Sequence, residues 1–171
     1  MRAGMEFEVV VEVPKGSRNK YEVDHVTGVI RLDRELFTAT RYPADYGFIE
    51  GTLGEDGDPL DVLVHLGEPT FPGCRIRCRA LGMFTMRDEE GVDTKVLAVP
   101  SWDTRQQWAE LDDVPRHFLL EVAHFFEIYK ELEPGKSTEV GGWRGRGDAE
   151  VEIMRATQRA RRAHQEPEAE L

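Results

Sequence analysis

The sequence predicts an α+β fold in which a compact β-barrel is followed by two helices. Short β-branched and aromatic segments, separated by Gly and Pro, occupy the first two-thirds of the 171-residue chain. After residue 115 the apolar residues change to the helical spacing. A run of strands followed by helices, with no linker between them, is typical of one α+β domain, which we place at residues 1–164.

The strands are predicted from short apolar or alternating segments that end at turn residues. The second and third of them flank His25, Val26 and Thr27, which predicts a hairpin. The stretch TRYPADYGFIEGTLG (40–54) is rich in Gly, Pro and aromatic residues, so we expect a loop with one short strand at most. The predicted strands are FEVVVEV (7–13), KYEVD (20–24), GVIRLD (28–33), LDVLVHL (60–66), CRIRCRALGMFTM (74–86) and DTKVLAVP (93–100).

Two helices are predicted in the last third of the chain. Residues 115–132 carry an apolar stripe with Pro115 at its start, and residues 147–164 carry acids in the first turn and arginines in the last. The face that carries Arg155, Arg159 and Arg162 is interpreted as solvated. Residues 165–171 are expected to form a disordered acidic tail.

The overall charge limits the classes of partner. The net charge of −11 disfavours nucleic acid and anionic membranes as partners. The chain has no apolar run of 18 residues and no apolar stretch near its first residue typical of a signal peptide. Two isolated cysteines, Cys74 and Cys78, suit a reducing compartment, so a cytoplasmic location is predicted.

Three aspartates, Asp56, Asp58 and Asp61, directly precede the apolar run at 62–66. Two carboxylates about 4 Å apart repel each other by roughly 4 kcal/mol at an effective dielectric near 20. Either the residues spread into water as an ordinary turn, or a cation lies between them, and the residues alone leave both interpretations open. An EF-hand is excluded because its twelfth position would be Gly67 instead of Glu.

A second acidic cluster, DEEGVD (88–93), lies close to Lys95. Taken alone it predicts an exposed hairpin turn. However, Asp61 and Asp93 each lie at the start of an apolar strand, so their carboxylates would face one cavity if both strands begin at the same end of the sheet. Clustered oxygen ligands of this kind suit Mg²⁺.

Seven motifs together resemble family I soluble inorganic pyrophosphatase, in its short bacterial and actinobacterial-like form. The most specific of them is DGDPLDVLV (56–64). The resemblance implies a five-stranded OB-like barrel with helices beside it. It also implies hydrolysis of pyrophosphate to two orthophosphates by a metal-activated water, several Mg²⁺ ions per site, and a homohexamer. The other motifs are EVPKG (12–16), KYEVD (20–24), LDR (32–34), YPADYGFIEGTL (42–53), DEEGVDTKVLAVP (88–100) and HFFEIYKELEPGK (124–136).

The resemblance also implies roles for thirteen residues. The general base is Asp58 or Asp93, and both remain candidates; Asp93 would be the poorer base because neighbouring cations lower the pKa of a carboxyl. The metal ligands or their direct supports would be Glu12, Glu22, Asp56, Asp61, Asp88 and Asp93. The phosphate contacts would be Lys20, Arg34, Tyr46, Lys95, Tyr129 and Lys130.

Two other functions compete with this one. A non-catalytic OB-like module could bind an anionic ligand, but single-stranded nucleic acid needs a basic groove with exposed aromatic residues. A metal-dependent hydrolase acting on nucleotides would share the chemistry, although the sequence shows no obvious base-stacking pocket. Release of phosphate from pyrophosphate, compared with ATP, separates these possibilities.

Overall fold

A computed structural model describes residues 4–165, and the chain forms eight strands and two α-helices in that range. A short 3₁₀ turn, Leu111–Asp113, precedes the first helix. Of the predicted tail at 165–171, only Gln165 is described, and it belongs to the second helix. Residues 166–171 lie outside the described residues. The elements are β1 Glu6–Val13, β2 Asn19–Val23, β3 Ile30–Glu35, β4 Asp45–Ile49, β5 Asp61–Val64, β6 Arg75–Asp88, β7 Gly91–Pro100, α1 Arg116–Ile128, β8 Thr138–Gly145 and α2 Arg146–Gln165.

Five strands close into a ring in the order β1-β4-β5-β7-β6, because β6 also pairs with β1. This closure confirms the predicted five-stranded barrel. The strands β2 and β3 form a separate antiparallel hairpin, as the sequence predicts. All pairs in the ring are antiparallel except β5 with β7, which run parallel.

Two hydrophobic clusters flank the barrel wall, one against each helix. Successive residues of a strand point to opposite faces. On β5, Leu63 therefore joins the cluster that contains Phe126 of α1, while Val62 and Val64 join the cluster that contains Ile153 of α2. Both helices are thus fixed to the barrel by buried side chains, and the α+β class is confirmed.

The first helix ends four residues earlier than predicted, at Ile128 instead of 132. Beyond Tyr129 the backbone N–H groups of Glu131 and Glu133 donate to carbonyls three residues back, so the chain continues as tight turns. Pro134 follows, and a residue before proline is disfavoured in the helical conformation. The predicted boundary was wrong because the apolar spacing persists slightly beyond the hydrogen-bonded helix.

The sequence analysis did not predict β8, which pairs with β6 outside the closed ring. Its sequence TEVGGWRG contains three glycines, which are rare in strands. Gly141 is required by the close approach of β6, since a Cβ there would lie 2.7 Å from the Thr85 carbonyl oxygen. Neither helix of the part described is long and apolar enough to cross a membrane.

Candidate active site

One cavity of about 360 Å³ lies where four parts of the fold meet: the β2–β3 hairpin, the β4–β5 loop, the β6–β7 turn and the end of α1. All thirteen residues singled out from the sequence line it. They are Glu12, Lys20, Glu22, Arg34, Tyr46, Asp56, Asp58, Asp61, Asp88, Asp93, Lys95, Tyr129 and Lys130. The structure therefore brings together side chains from most of the length of the chain.

The parallel pairing of β5 with β7 explains how the two acidic clusters meet. Asp61 lies opposite Lys95 in this pair, so both strands begin at the same end of the barrel. The Lys95 ammonium lies 2.8 Å from Asp61 Oδ2 and 2.7 Å from Asp93 Oδ2. It also donates to the Tyr46 hydroxyl at 2.7 Å. The Lys95 side chain is only 2% exposed, so these contacts are needed to keep its charge in a buried position.

The β4–β5 loop carries Asp56 and Asp58. The Asp58 N–H donates to Asp56 Oδ1 at 3.0 Å, and the Gly54 N–H donates to the Asp58 carbonyl at 2.6 Å. Gly57 has a φ of +89°, which favours glycine. The ordinary turn chemistry suggested by the sequence is therefore present, and the same turn presents both exposed carboxylates to the cavity.

Negative charge is crowded in the cavity. Its lining contains ten carboxylate side chains and five Lys or Arg side chains. Burial raises the pKa of Glu12 to about 7, the charges of Asp61 and Glu22 add to this rise, and the N–H of Val23 opposes it by donating to Glu12 at 2.8 Å. Burial also raises the pKa of Asp93, although Lys95 opposes that rise. The cavity is therefore suited to additional positive charge.

The remaining basic side chains contact acids on the cavity wall. Lys20 and Arg34 share Asp33, at 3.0 and 2.9 Å from its Oδ2. Arg34 also lies 2.8 Å from the carboxylate of Glu133, which is almost buried. Hence the hairpin β2–β3 places two cations next to each other at the edge of the cavity.

A similar arrangement occurs on the opposite wall. Lys130 lies 3.4 Å from Asp88 and 3.5 Å from Glu89, and Lys136 lies 3.2 Å from Glu89. The sequence analysis missed Asp33 and Lys136. Both lie inside motifs that carry the family resemblance, LDR (32–34) and HFFEIYKELEPGK (124–136), so these motifs were the signal that could have identified them.

The donor set fits a hard divalent cation, because the carboxylates and tyrosine hydroxyls that line the cavity are oxygen ligands and its open faces admit water. Among residues 4–165, no three His, Cys, Asp or Glu side chains converge closely enough to hold an ion by themselves. His25 is exposed and also lines the cavity, with its ring edge-on to Phe48 at 4.8 Å. Water and substrate oxygens would therefore have to complete the coordination of a bound cation.

Comparison with known proteins agrees with this arrangement. The inorganic pyrophosphatase family model matches residues 9–161. An inorganic pyrophosphatase of Streptomyces coelicolor is 64% identical over 156 residues, which cover 91% of this chain and 96% of that protein. One of Leifsonia xyli subsp. xyli is 55% identical over 145 residues, which cover 84% and 89%. The crystal structure of the inorganic pyrophosphatase from Thermus thermophilus superimposes with a TM-score of 0.89 at 45% identity and covers 94% of each chain.

Proposed function

The chain belongs to the inorganic pyrophosphatase family and hydrolyses pyrophosphate to two orthophosphates, and we propose that this reaction depends on several Mg²⁺ ions held in the acidic cavity. The observation that supports the metal is the excess of carboxylates over basic side chains in the cavity. When bound, Mg²⁺ would lower the pKa of the attacking water and neutralise phosphate charge.

The proposed ligands form two groups. Asp56, Asp61 and Asp93 would hold the first metal, and Asp61 would also face the second. Asp88, together with Asp93, would hold a metal that arrives with the substrate. On the opposite wall, Glu22 would bind or support a further ion with the help of Glu12. Mg²⁺ usually keeps several waters and takes one or two carboxylates plus phosphate oxygens, which suits ligands spread along a cavity wall.

The basic side chains would bind phosphate by exchanging partners. Lys95 holds Asp61 and Asp93, and Lys130 lies near Asp88, so the carboxylates proposed for metal are paired with cations proposed for phosphate. Entry of metal and pyrophosphate would let each lysine contact a phosphate oxygen while its carboxylate binds metal. Lys20 and Arg34, from the hairpin, and the hydroxyls of Tyr46 and Tyr129 would complete the phosphate contacts.

Asp58 is the proposed general base, with Asp93 as the alternative. The Asp58 side chain is exposed to the cavity, whereas that of Asp93 is 13% exposed and lies 2.7 Å from Lys95. Burial raises the pKa of Asp93, but its carboxylate is held by Lys95, whereas the exposed carboxylate of Asp58 is open to a water molecule. Asp58 would therefore accept a proton from the attacking water, or orient that water toward phosphorus.

Exhaustive chelation is expected to abolish hydrolysis of pyrophosphate, and Mg²⁺ should restore it. Ca²⁺ should restore far less, because its longer and more variable coordination would misplace the attacking water. The measurement is phosphate release after chelation, with each cation added back and with ATP as the control substrate. Full activity in the chelated enzyme would refute the metal requirement, and equal rates on ATP would favour a nucleotide hydrolase.

We also propose a homohexamer, in which α1 forms part of the contact between subunits. His124 and its aromatic neighbours are candidates for this contact. Phe125 and Phe126 are in fact buried in the core, whereas His124 is exposed and Leu120 is 54% exposed on the same helix. Sedimentation at micromolar concentration should show six subunits, with Leu120→Glu shifting the distribution to smaller species. A wild-type monomer would contradict the proposal.

The cytoplasmic location and the lack of a nucleic-acid partner stay predictions. They are supported by the two free cysteines, Cys74 and Cys78, and by the net charge of −11. The assignment of residues 1–164 to one catalytic domain is likewise a proposal.

A further inference from the structure

The loop that carries Asp56 and Asp58 is attached to the second helix. At its base, the buried Thr52 hydroxyl donates to the Ile49 carbonyl at 2.6 Å and accepts from the Leu60 N–H at 3.0 Å. Next to it, the Leu53 N–H donates to the Ala156 carbonyl of α2 at 3.0 Å. One helix therefore contacts the loop directly at its backbone.

Arg159 supplies the second contact. Its Nη1 donates to the Leu53 carbonyl at 2.7 Å, so α2 holds both the N–H and the C=O of Leu53. The side chain of Arg159 is 30% exposed, and its Nη2 lies 3.4 Å from Glu152. The interpretation of Arg159 as part of a solvated helix face was therefore wrong, although Arg155 and Arg162 are exposed as expected.

Glu152 connects this contact to the acidic cluster. Its side chain is 14% exposed and lines a narrow cleft together with Asp56, Asp61 and Asp93. Without Arg159, the Glu152 carboxylate would lose its neighbouring positive charge. Its negative charge would then add to the repulsion among the three aspartates. The guanidinium thus has both a geometric and an electrostatic effect at the back of the site.

We propose that Arg159 is a positioning residue that holds the β4–β5 loop in the conformation in which Asp56 and Asp58 face the cavity. Leu53 lies three residues before Asp56, and the intervening chain contains Gly54, with Gly57 beyond it. Glycines allow many backbone conformations, so the orientation of the two aspartates depends on the fixed point at Leu53. This inference rests on the proposed roles of Asp56 and Asp58.

Arg159→Ala tests the proposal, with Arg155→Ala as the matched control on the same helix. Arg155 is exposed one turn earlier, so its removal causes the same loss of charge without releasing Leu53. Two measurements test the loop. Hydrogen exchange of the Leu53 and Gly54 amides is measured on the metal-free protein. Calorimetry measures the affinity of the first binding step for Mn²⁺, which serves as a probe of the Mg²⁺ site. Neither depends on turnover.

In Arg159→Ala we expect both amides to exchange about 10-fold faster and Mn²⁺ to bind about 10-fold more weakly, as for the loss of one charge-assisted hydrogen bond. In the steady state, kcat should fall and the Mg²⁺ concentration for half-maximal rate should rise, while KM for pyrophosphate changes little. Arg159→Lys keeps a donor and the positive charge, so it should recover part of each effect. Arg155→Ala should resemble the wild type in all of them.

Several results would overturn the inference. One is wild-type amide exchange and Mn²⁺ affinity in Arg159→Ala; another is an equal change in Arg155→Ala, which would indicate a general weakening of α2. If Arg159→Ala fails to fold, Arg159→Lys alone decides: faster amide exchange and weaker Mn²⁺ binding than in the wild type, each by less than about 10-fold, support the proposal, and wild-type values of both overturn it. Asp56→Asn separates this inference from the proposed function, because unchanged Mn²⁺ affinity in that variant would refute the ligand assignment itself.

Discussion

Asp58→Asn is expected to lower kcat by roughly 10²–10⁴-fold, the range for loss of a general base, while Mg²⁺ affinity stays nearly unchanged. Asparagine has the same size as aspartate but cannot accept a proton from water. Because Asp58 is exposed at the tip of the loop and its backbone carbonyl keeps the bond to Gly54, the substitution should leave the turn intact. Calorimetry of Mg²⁺ binding beside steady-state kinetics measures the two quantities.

The opposite pattern would reassign Asp58. If Asp58→Asn binds Mg²⁺ much more weakly and added Mg²⁺ restores its rate, then Asp58 is a ligand. Asp93 would become the candidate base, and its contact with Lys95 would have to open during the reaction. The pair Asp58→Asn and Asp93→Asn, compared at saturating Mg²⁺, decides between these assignments.

Asp61→Asn is expected to weaken Mg²⁺ binding on the order of 10²-fold, and high Mg²⁺ should recover part of the activity. Asp61 is the carboxylate proposed to face two metals, and loss of one charge at about 4 Å is worth a few kcal/mol at intermediate dielectric. Release of Lys95 from one of its two carboxylate partners makes the cavity more positive and adds to the effect. Calorimetry and the Mg²⁺ dependence of the rate measure both parts.

Glu55→Gln is the matched control for Asp61→Asn. Glu55 is exposed beside Asp56 and has no proposed role, so its removal tests whether any lost charge in this loop has the same result. An equal loss of affinity in both variants would mean that the general field of the acidic loop, and not coordination by Asp61, determines metal binding.

Strands β5 and β7 were predictable because their side-chain pattern follows from burial, whereas the β2–β3 hairpin, which has no buried residue, was predicted from its turn. In β5 every residue after the first is buried, and in β7 the last six residues are buried, which gives each strand a continuous apolar run. By contrast, β8 lies outside the closed ring, and close approach to β6 requires Gly141 there. Such a strand is determined by its neighbour and not by its own composition, so no local pattern reveals it.

The site was predictable to the extent that its residues lie in recognisable motifs. All thirteen side chains line one cavity, including those contributed by separate strands and by the end of α1. Asp33 lies inside the motif LDR (32–34) but was missed, because its contacts with Lys20 and Arg34 exist only once the β2–β3 hairpin has formed. Arg159 was missed because its acceptor is a backbone carbonyl 106 residues away, and side-chain patterns do not report backbone acceptors.

The single parallel pair of strands in the barrel also affects how the chain folds. Antiparallel neighbours can form as local hairpins, as β6 and β7 do, but β5 and β7 are separated in the chain by the whole of β6, which lies on the far side of β7. We therefore expect Asp61 and Asp93 to come together late in folding, because their approach requires the entropic cost of closing that long segment. A chain that ends before residue 88 carries the first acidic cluster without the second, so we expect the proposed metal ligands to come together only once the ring is closed.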